Sequence, residues 1–284
     1  SSIDKRKCDI LKRNIIKNSN LDLKINFLKI SESEYEKINY GLDYSSYLQS
    51  NCYIKAYSEN YNFYKINIGN KNIGKFGVCI KRKFNLDFLV INRLKISQIT
   101  NSLNDFEIGI IYKELINFLR KEFKRGLLFL ITIEKNYIDN IFTYYSKNLF
   151  KLYEYQTGLI DLCQNEDELK KQMKGRWRNA LKNGLKLGID VEISRKKKDL
   201  YEIFDLYKVE KKRKNYEGIN SNLLTKWYEN SKDNNEFIAF KGYETSLERN
   251  TFLGSIIINI NDVTATYLLA VNNSKRRTNF LSNI

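Results

Sequence analysis

The stretch NEDELKKQMKGRWRNALKNGLKLGIDV, residues 165–191, decides how the rest of the chain is read. Leu169, Met173, Trp177, Leu181 and Leu185 recur every four residues, which predicts one α-helix with an apolar stripe against a core. Asn165 with Glu168 three residues on predicts a capped N-terminus, and Gly188 stands where a left-handed residue usually closes a helix. Between Lys170 and Lys186 there are seven Lys or Arg residues and no acid. The exposed face therefore lacks the opposite-charge pairs that steady an ordinary surface helix. Such a face fits an anionic partner, and it fits a solvated basic surface equally well.

Across the 284 residues, 49 Lys and Arg against 33 Asp and Glu give a formal charge of +16. That balance favours tRNA, nucleotide-linked molecules or acidic lipid as partners, and says nothing of a reaction. The chain has no histidine and no proline. Ser-His-Asp and Cys-His nucleophilic sites, and metal sites built on histidine, are thereby excluded within it. Cys8, Cys52, Cys79 and Cys163 lie far apart, which predicts free thiols and no metal site. There is no apolar run of about 18 residues, and the first twenty positions have no signal-peptide centre, so a soluble, cytoplasmic protein is expected.

In chain order, residues 1–20 read as a basic amphipathic appendage. Residues 21–153 and 154–284 then read as two domains. The first is expected to run strand 21–30, a helix from 31, a helix over 45–57, a hairpin over 61–68 and 73–83, and a strand over 88–96. A helix over 104–123 and an apolar strand over 127–133 follow, with a helix near 137–147 and a strand over 152–162 closing this half. The second repeats the order: strand 189–193, helices over 198–213 and 221–231, and strands over 236–240, 251–260 and 264–271. Ile73-Gly74 and Leu253-Gly254 occupy matching places in the two meanders, which suggests a duplicated unit in which each glycine marks a bulge or a close backbone approach. The expected class is α+β: two tandem domains with mixed, largely antiparallel sheets flanked by helices.

The strand ending Leu159-Ile160-Asp161-Leu162, the spacer and the basic helix closing on Gly188-Ile189 resemble the Fem-type aminoacyltransferases that build peptidoglycan cross-bridges, and the wider Gcn5-related acyltransferases. Gln49-Ser50 with Lys55, the Ile73-Gly74 strand, Arg213 at a helix end and Ala265-Thr266-Tyr267-Leu268-Leu269 follow in the same order. The resemblance implies attack of an amine of an anionic peptidoglycan precursor on the ester of aminoacyl-tRNA, with no cofactor. It makes Lys174, Arg176, Arg178 and Lys182 candidates for phosphates of the carrier or acceptor, and Lys55 a candidate for the acceptor's phosphates. Tyr267 and Leu269 would line the acyl-transfer cleft, where backbone N–H groups would meet the oxyanion. The proton acceptor is left open between a carboxylate, a tyrosine and the donor ribose. Residues 197–235 hold no long helical arm, so the compact form is the better comparison. The sequence ends at Phe280–Ile284 inside an expected helix, so a further segment is expected.

Two other readings stand beside this one. An acyl-CoA-dependent N-acyltransferase would close backbone N–H groups of a glycine-rich loop on pyrophosphate. Arg276 fits that loop as a phosphate-binding candidate, whereas Asn279 and Leu281 fall where its glycines would be. The second alternative is a non-catalytic RNA-binding protein on a transferase fold, with Tyr53, Tyr57, Tyr61 and Tyr64 as stacking candidates. Lys5, Arg6, Lys7, Lys12, Arg13 and Lys17 suit peripheral contact with an anionic membrane at its inner face.

Overall fold

The structure is a computed structural model that describes residues 24–38, 46–94, 105–124, 126–133, 158–231, 236–246 and 249–273. Its first half runs β1 (Ile25–Ile30), α1 (Glu32–Lys37), a single 3-10 turn (Tyr47–Gln49), α2 (Asn51–Tyr57), β2 (Asn60–Ile68), β3 (Lys71–Lys83), β4 (Leu86–Leu94), α3 (Asp105–Glu122) and β5 (Gly126–Ile133). The second runs α4 (Glu166–Gln172), α5 (Gly175–Lys186), β6 (Ile189–Ser194), α6 (Lys197–Lys214), α7 (Ser221–Ser231), β7 (Phe237–Ser246), β8 (Arg249–Asn261) and β9 (Thr264–Asn272). From β1 and β6 onward the order is the same in both: strand, two helices, three antiparallel strands.

Each half builds one sheet, ordered β1-β2-β3-β4-β5 in the first and β6-β7-β8-β9 in the second. Among the described strands only β4 and β5 pair in parallel, joined by the crossover that carries α3. The duplication is visible down to one residue. Ile66 pairs with Gly74 and Asn67 with Asn72, so Ile73 is extra; Gly242 pairs with Gly254 and Tyr243 with Phe252, so Leu253 is extra. Both apolar-glycine pairs thus mark a β-bulge, the glycine following the unpaired residue.

In the first half α3 lays Ile108, Ile111, Leu115 and Leu119 on Tyr64, Ile66, Phe76, Val78 and Leu89 of the sheet. On the other face Tyr35 and Ile54 pack with Phe63, Cys79 and Val90. Gly77 is required there: an added Cβ would overlap Ile54 and approach Phe63 to 3.4 Å. The largest core joins the halves, placing Cys52, Tyr53 and Ala56 of α2 among Leu200, Phe204, Tyr207, Trp227, Phe237 and Val271. Trp227 stacks on Tyr47 at 4.9 Å and meets Tyr53 edge-on at 5.1 Å. Cys52 and Asn230 each donate to the other's carbonyl at 3.3 Å. Cys52 and Cys79 are buried and free, Cys163 exposed and free; of the tyrosine series, Tyr53 and Tyr64 are core.

The structure corrects three expectations. Residues 165–188 do not form one helix: Met173 (ψ 138°) and Lys174 (ψ 145°) are extended and separate α4 from α5. Gly175 follows, a residue that makes continuing a helix costly. Nor does the stripe meet a core, since Met173, Trp177 and Leu185 are 39%, 41% and 70% exposed. Gly184 is buried and Leu169, Ala180 and Leu181 half-buried, so the inward side is narrower than the periodicity implies. Finally, residues 158–162 are irregular and exposed, not the end of a strand. The expected appendage over 1–20, the helix near 137–147 and the segment carrying Arg276 lie outside the described residues. Among those described, no helix is long and apolar enough to cross a membrane, and no metal-binding cluster is found.

Candidate anion-binding and acyl-transfer site

The helix α5 carries the cations. Asn165 Oδ1 accepts from Glu168 N at 2.9 Å to open α4, and Gly188 at φ +62° lets the chain leave α5 and enter β6 at once. Lys170 is tied to Glu166 at 3.3 Å. Lys174, Arg176, Arg178 and Lys182 are exposed and, among the described residues, make no ion pair or side-chain hydrogen bond. Four like charges on two and a half turns repel one another, and an anion relieves that repulsion.

Lys55 is placed differently. Its ammonium lies 2.8 Å from Glu32, and Asn51 Nδ2 donates to Glu32 at 2.9 Å and to Glu36 at 2.5 Å. The hydrogen bond from Lys55 lowers the Glu32 pKa, burial opposing it, and the same bond raises that of Lys55. A phosphate arriving at Lys55 therefore meets an ammonium already paired with a carboxylate.

Gln49 takes part in the first sheet. Its Oε1 accepts from Gly77 N at 2.9 Å while its Nε2 donates to the Asn92 carbonyl, and Tyr35 Oη donates to the Gln49 carbonyl at 2.8 Å. The β3–β4 ladder ends at Cys79 and Val90, so the amide supplies a rung between the diverging strands. The β4–β5 ladder is interrupted between Ile91 and Leu94, where Arg93 has φ +47°.

The cleft residues sit on β9. Leu269 pairs with Ile257 and Tyr267 with Ile258, leaving Leu268 as a bulge. Leu269 consequently turns into the core at 4% exposure while Tyr267 stays 62% exposed. Only Tyr267 of this pair can touch a ligand; Leu269 shapes the strand. Partial desolvation of the phenol, reinforced by Tyr216, raises the Tyr267 pKa even though most of the side chain is exposed, so at neutral pH the phenol keeps its proton and can donate it in a hydrogen bond.

Sequence reasoning passed over what lies beyond the end of this strand. Glu210 on α6, 8% exposed, accepts from Asn272 N at 3.4 Å and pairs with Lys214 at 2.6 Å and Arg213 at 3.7 Å. Its signal was present: Glu210 is the one acid in KVEKKRK, four residues before Lys214. Asn215, left-handed at φ +48°, then swings Tyr216 onto Tyr207, with ring centroids 6.3 Å apart. Lys211 fixes the turn by donating to the Gly218 carbonyl at 2.8 Å. Elsewhere Lys241 joins Asp199 at 3.0 Å, and Ser194 bonds the same carboxylate at 2.5 Å, which pins α6 to β6 and β7. A surface depression of about 400 Å³ beside β6 is lined by Asp190, Val191, Glu192 and Tyr243. Its carboxylates have the wrong sign for phosphate.

The sheet order, the paired bulges and the helix arrangement define a tandem Gcn5-related acyltransferase fold. Among solved structures, that of FemX is similar over 91% of this chain and 83% of its own, with a TM-score of 0.66 at 13% identity. A looser similarity, TM-score 0.44 at 7% identity, extends over 92% of this chain and 82% of a tandem acyltransferase from the clavulanic acid pathway. No protein-family model and no curated protein matches the sequence. At such identities it is the fold that is shared.

Proposed function

We propose that this chain transfers an aminoacyl group from the ester of a charged tRNA to an amine on an anionic cell-wall or nucleotide-linked precursor. The observation that carries this reading is the row of exposed, unpaired cations on α5, joined through Gly188 directly to a sheet of acyltransferase topology. Lys174, Arg176, Arg178 and Lys182 meet phosphates of the RNA and position it without reading its bases. Lys55 serves the acceptor's phosphates, which replace Glu32.

The acceptor nitrogen attacks the ester carbonyl carbon, the bond from that carbon to the ribose oxygen breaks, and the released hydroxyl takes up the proton the amine gives away. Backbone N–H groups around the β9 bulge stabilise the oxyanion, and the Tyr267 phenol donates beside them. Glu210 is engaged by Lys214, Arg213 and Asn272, so it positions the strand end and leaves proton removal to the substrate. The test is transfer of a labelled amino acid from tRNA to an amine-bearing nucleotide precursor. The reading predicts a new amide and no reaction with acetyl-CoA; acetylation of the amine with no loss from tRNA contradicts it.

A further inference from the structure

The β3–β4 hairpin ends in a turn that local energetics do not favour. Lys83 and Leu86 form its last rung, so Phe84 and Asn85 are the whole loop. Their φ values are +53° and +61°, as a type I′ turn requires. Asn and Gly suit that turn, whereas an aromatic side chain at positive φ is strained. Phe84 is also 83% exposed, so packing within the chain does not compensate for the strain. Backbone strain of this sort is held where a side chain is needed for something else.

The surroundings indicate what that is. The β2 ladder ends at Asn60 opposite Ile80, so residues 81–86 project beyond it. Arg82 grips Asp87 through Nε at 2.8 Å and Nη2 at 3.4 Å, which stiffens the tip and neutralises its carboxylate. Lys81 lies 3.8 Å over the Tyr57 ring and Lys83 5.2 Å from the Phe84 ring centroid. A hairpin tip with an exposed aromatic ring next to cations has the chemistry that binds single-stranded nucleic acid, stacking a base and holding neighbouring phosphates. One ring with these charges offers little apolar area to a bilayer.

We propose that the tip Lys81–Asn85 is an RNA-contacting finger in which Phe84 stacks on an unpaired base of the carrier while Lys83 and Lys81 meet adjacent phosphates. This rests on the reading of an RNA-borne donor, and binding of uncharged RNA separates the two. Anisotropy with labelled uncharged tRNA and a single strand of roughly eight nucleotides reads the affinity of the intact chain. Phe84→Ala weakens both complexes about ten-fold. Phe84→Trp retains binding, and RNA changes its emission by more than it changes that of the wild type, whose Trp177 and Trp227 set the background. Phe84→Gly binds as weakly as Phe84→Ala while melting no lower than the wild type, because glycine accepts positive φ. Wild-type RNA binding that Phe84→Ala and Phe84→Gly leave untouched overturns the finger alone. An emission change of Phe84→Trp in excess of the wild type's with phosphatidylglycerol vesicles and not with RNA does the same. Absence of any RNA binding by the wild type overturns both finger and donor.

Discussion

Lys75 shows what a single residue contributes. It lies on β3 directly opposite Lys65, which is paired with Glu34 at 2.7 Å, and reaches beneath α1 to donate to the carbonyls of Tyr35 at 2.8 Å and Ile38 at 2.7 Å. With the bond from Lys55 to Glu32, three lysines fasten one short acidic helix. Burial pushes the Lys75 pKa down to about 8, against the pull of Asp262 and Glu36. A neutral amine still has two N–H groups for its two carbonyls. The unfolded chain keeps this lysine near 10.4 and so binds more protons between about pH 8 and 10. Its contribution to stability is therefore unfavourable below about pH 8 and improves as pH rises through that window. Melting curves of wild type and Lys75→Met should diverge in favour of the wild type from about pH 8 to 10; a constant difference would assign the lysine an ordinary pKa.

Among the elements, the meeting of β3 and β4 depends on one side chain outside both. Replacing Gln49 by Leu leaves the Gly77 N–H and the Asn92 carbonyl without their partner and costs about 1–3 kcal/mol. Urea unfolding measures this, and a loss below about 0.5 kcal/mol would mean that water fills the place. Gln49 stood in the sequence with nothing to mark the role, since its partners lie 28 and 43 residues on. Elements with strong local signals were legible: α7 begins and ends where its spacing places it, and both apolar-glycine pairs mark bulges. The stripe through Trp177 and Leu185 was misread because periodicity reports that a helix is amphipathic and leaves open what covers its apolar side. Likewise the chain order showed Lys55 and concealed Glu32, which neutralises it from 23 residues away.

For the molecule as a whole, two similar halves are locked by one core, with α2 of the first packed on α7 of the second through Tyr53, Trp227 and Cys52. Free cations gather on α5, ahead of the second sheet, and the formal charge is +16. In the proposed reaction these cations hold the anionic carrier. Whether they do is decided by the affinity for aminoacyl-tRNA as a function of salt, in the wild type and in Arg176→Gln/Arg178→Gln/Lys182→Gln. The side chains are exposed and unpaired, so the variant should fold as the wild type does. The variant should bind more weakly, with a slope of log affinity against log salt shallower by roughly two to three units. Equal affinity and slope in the two proteins would contradict it.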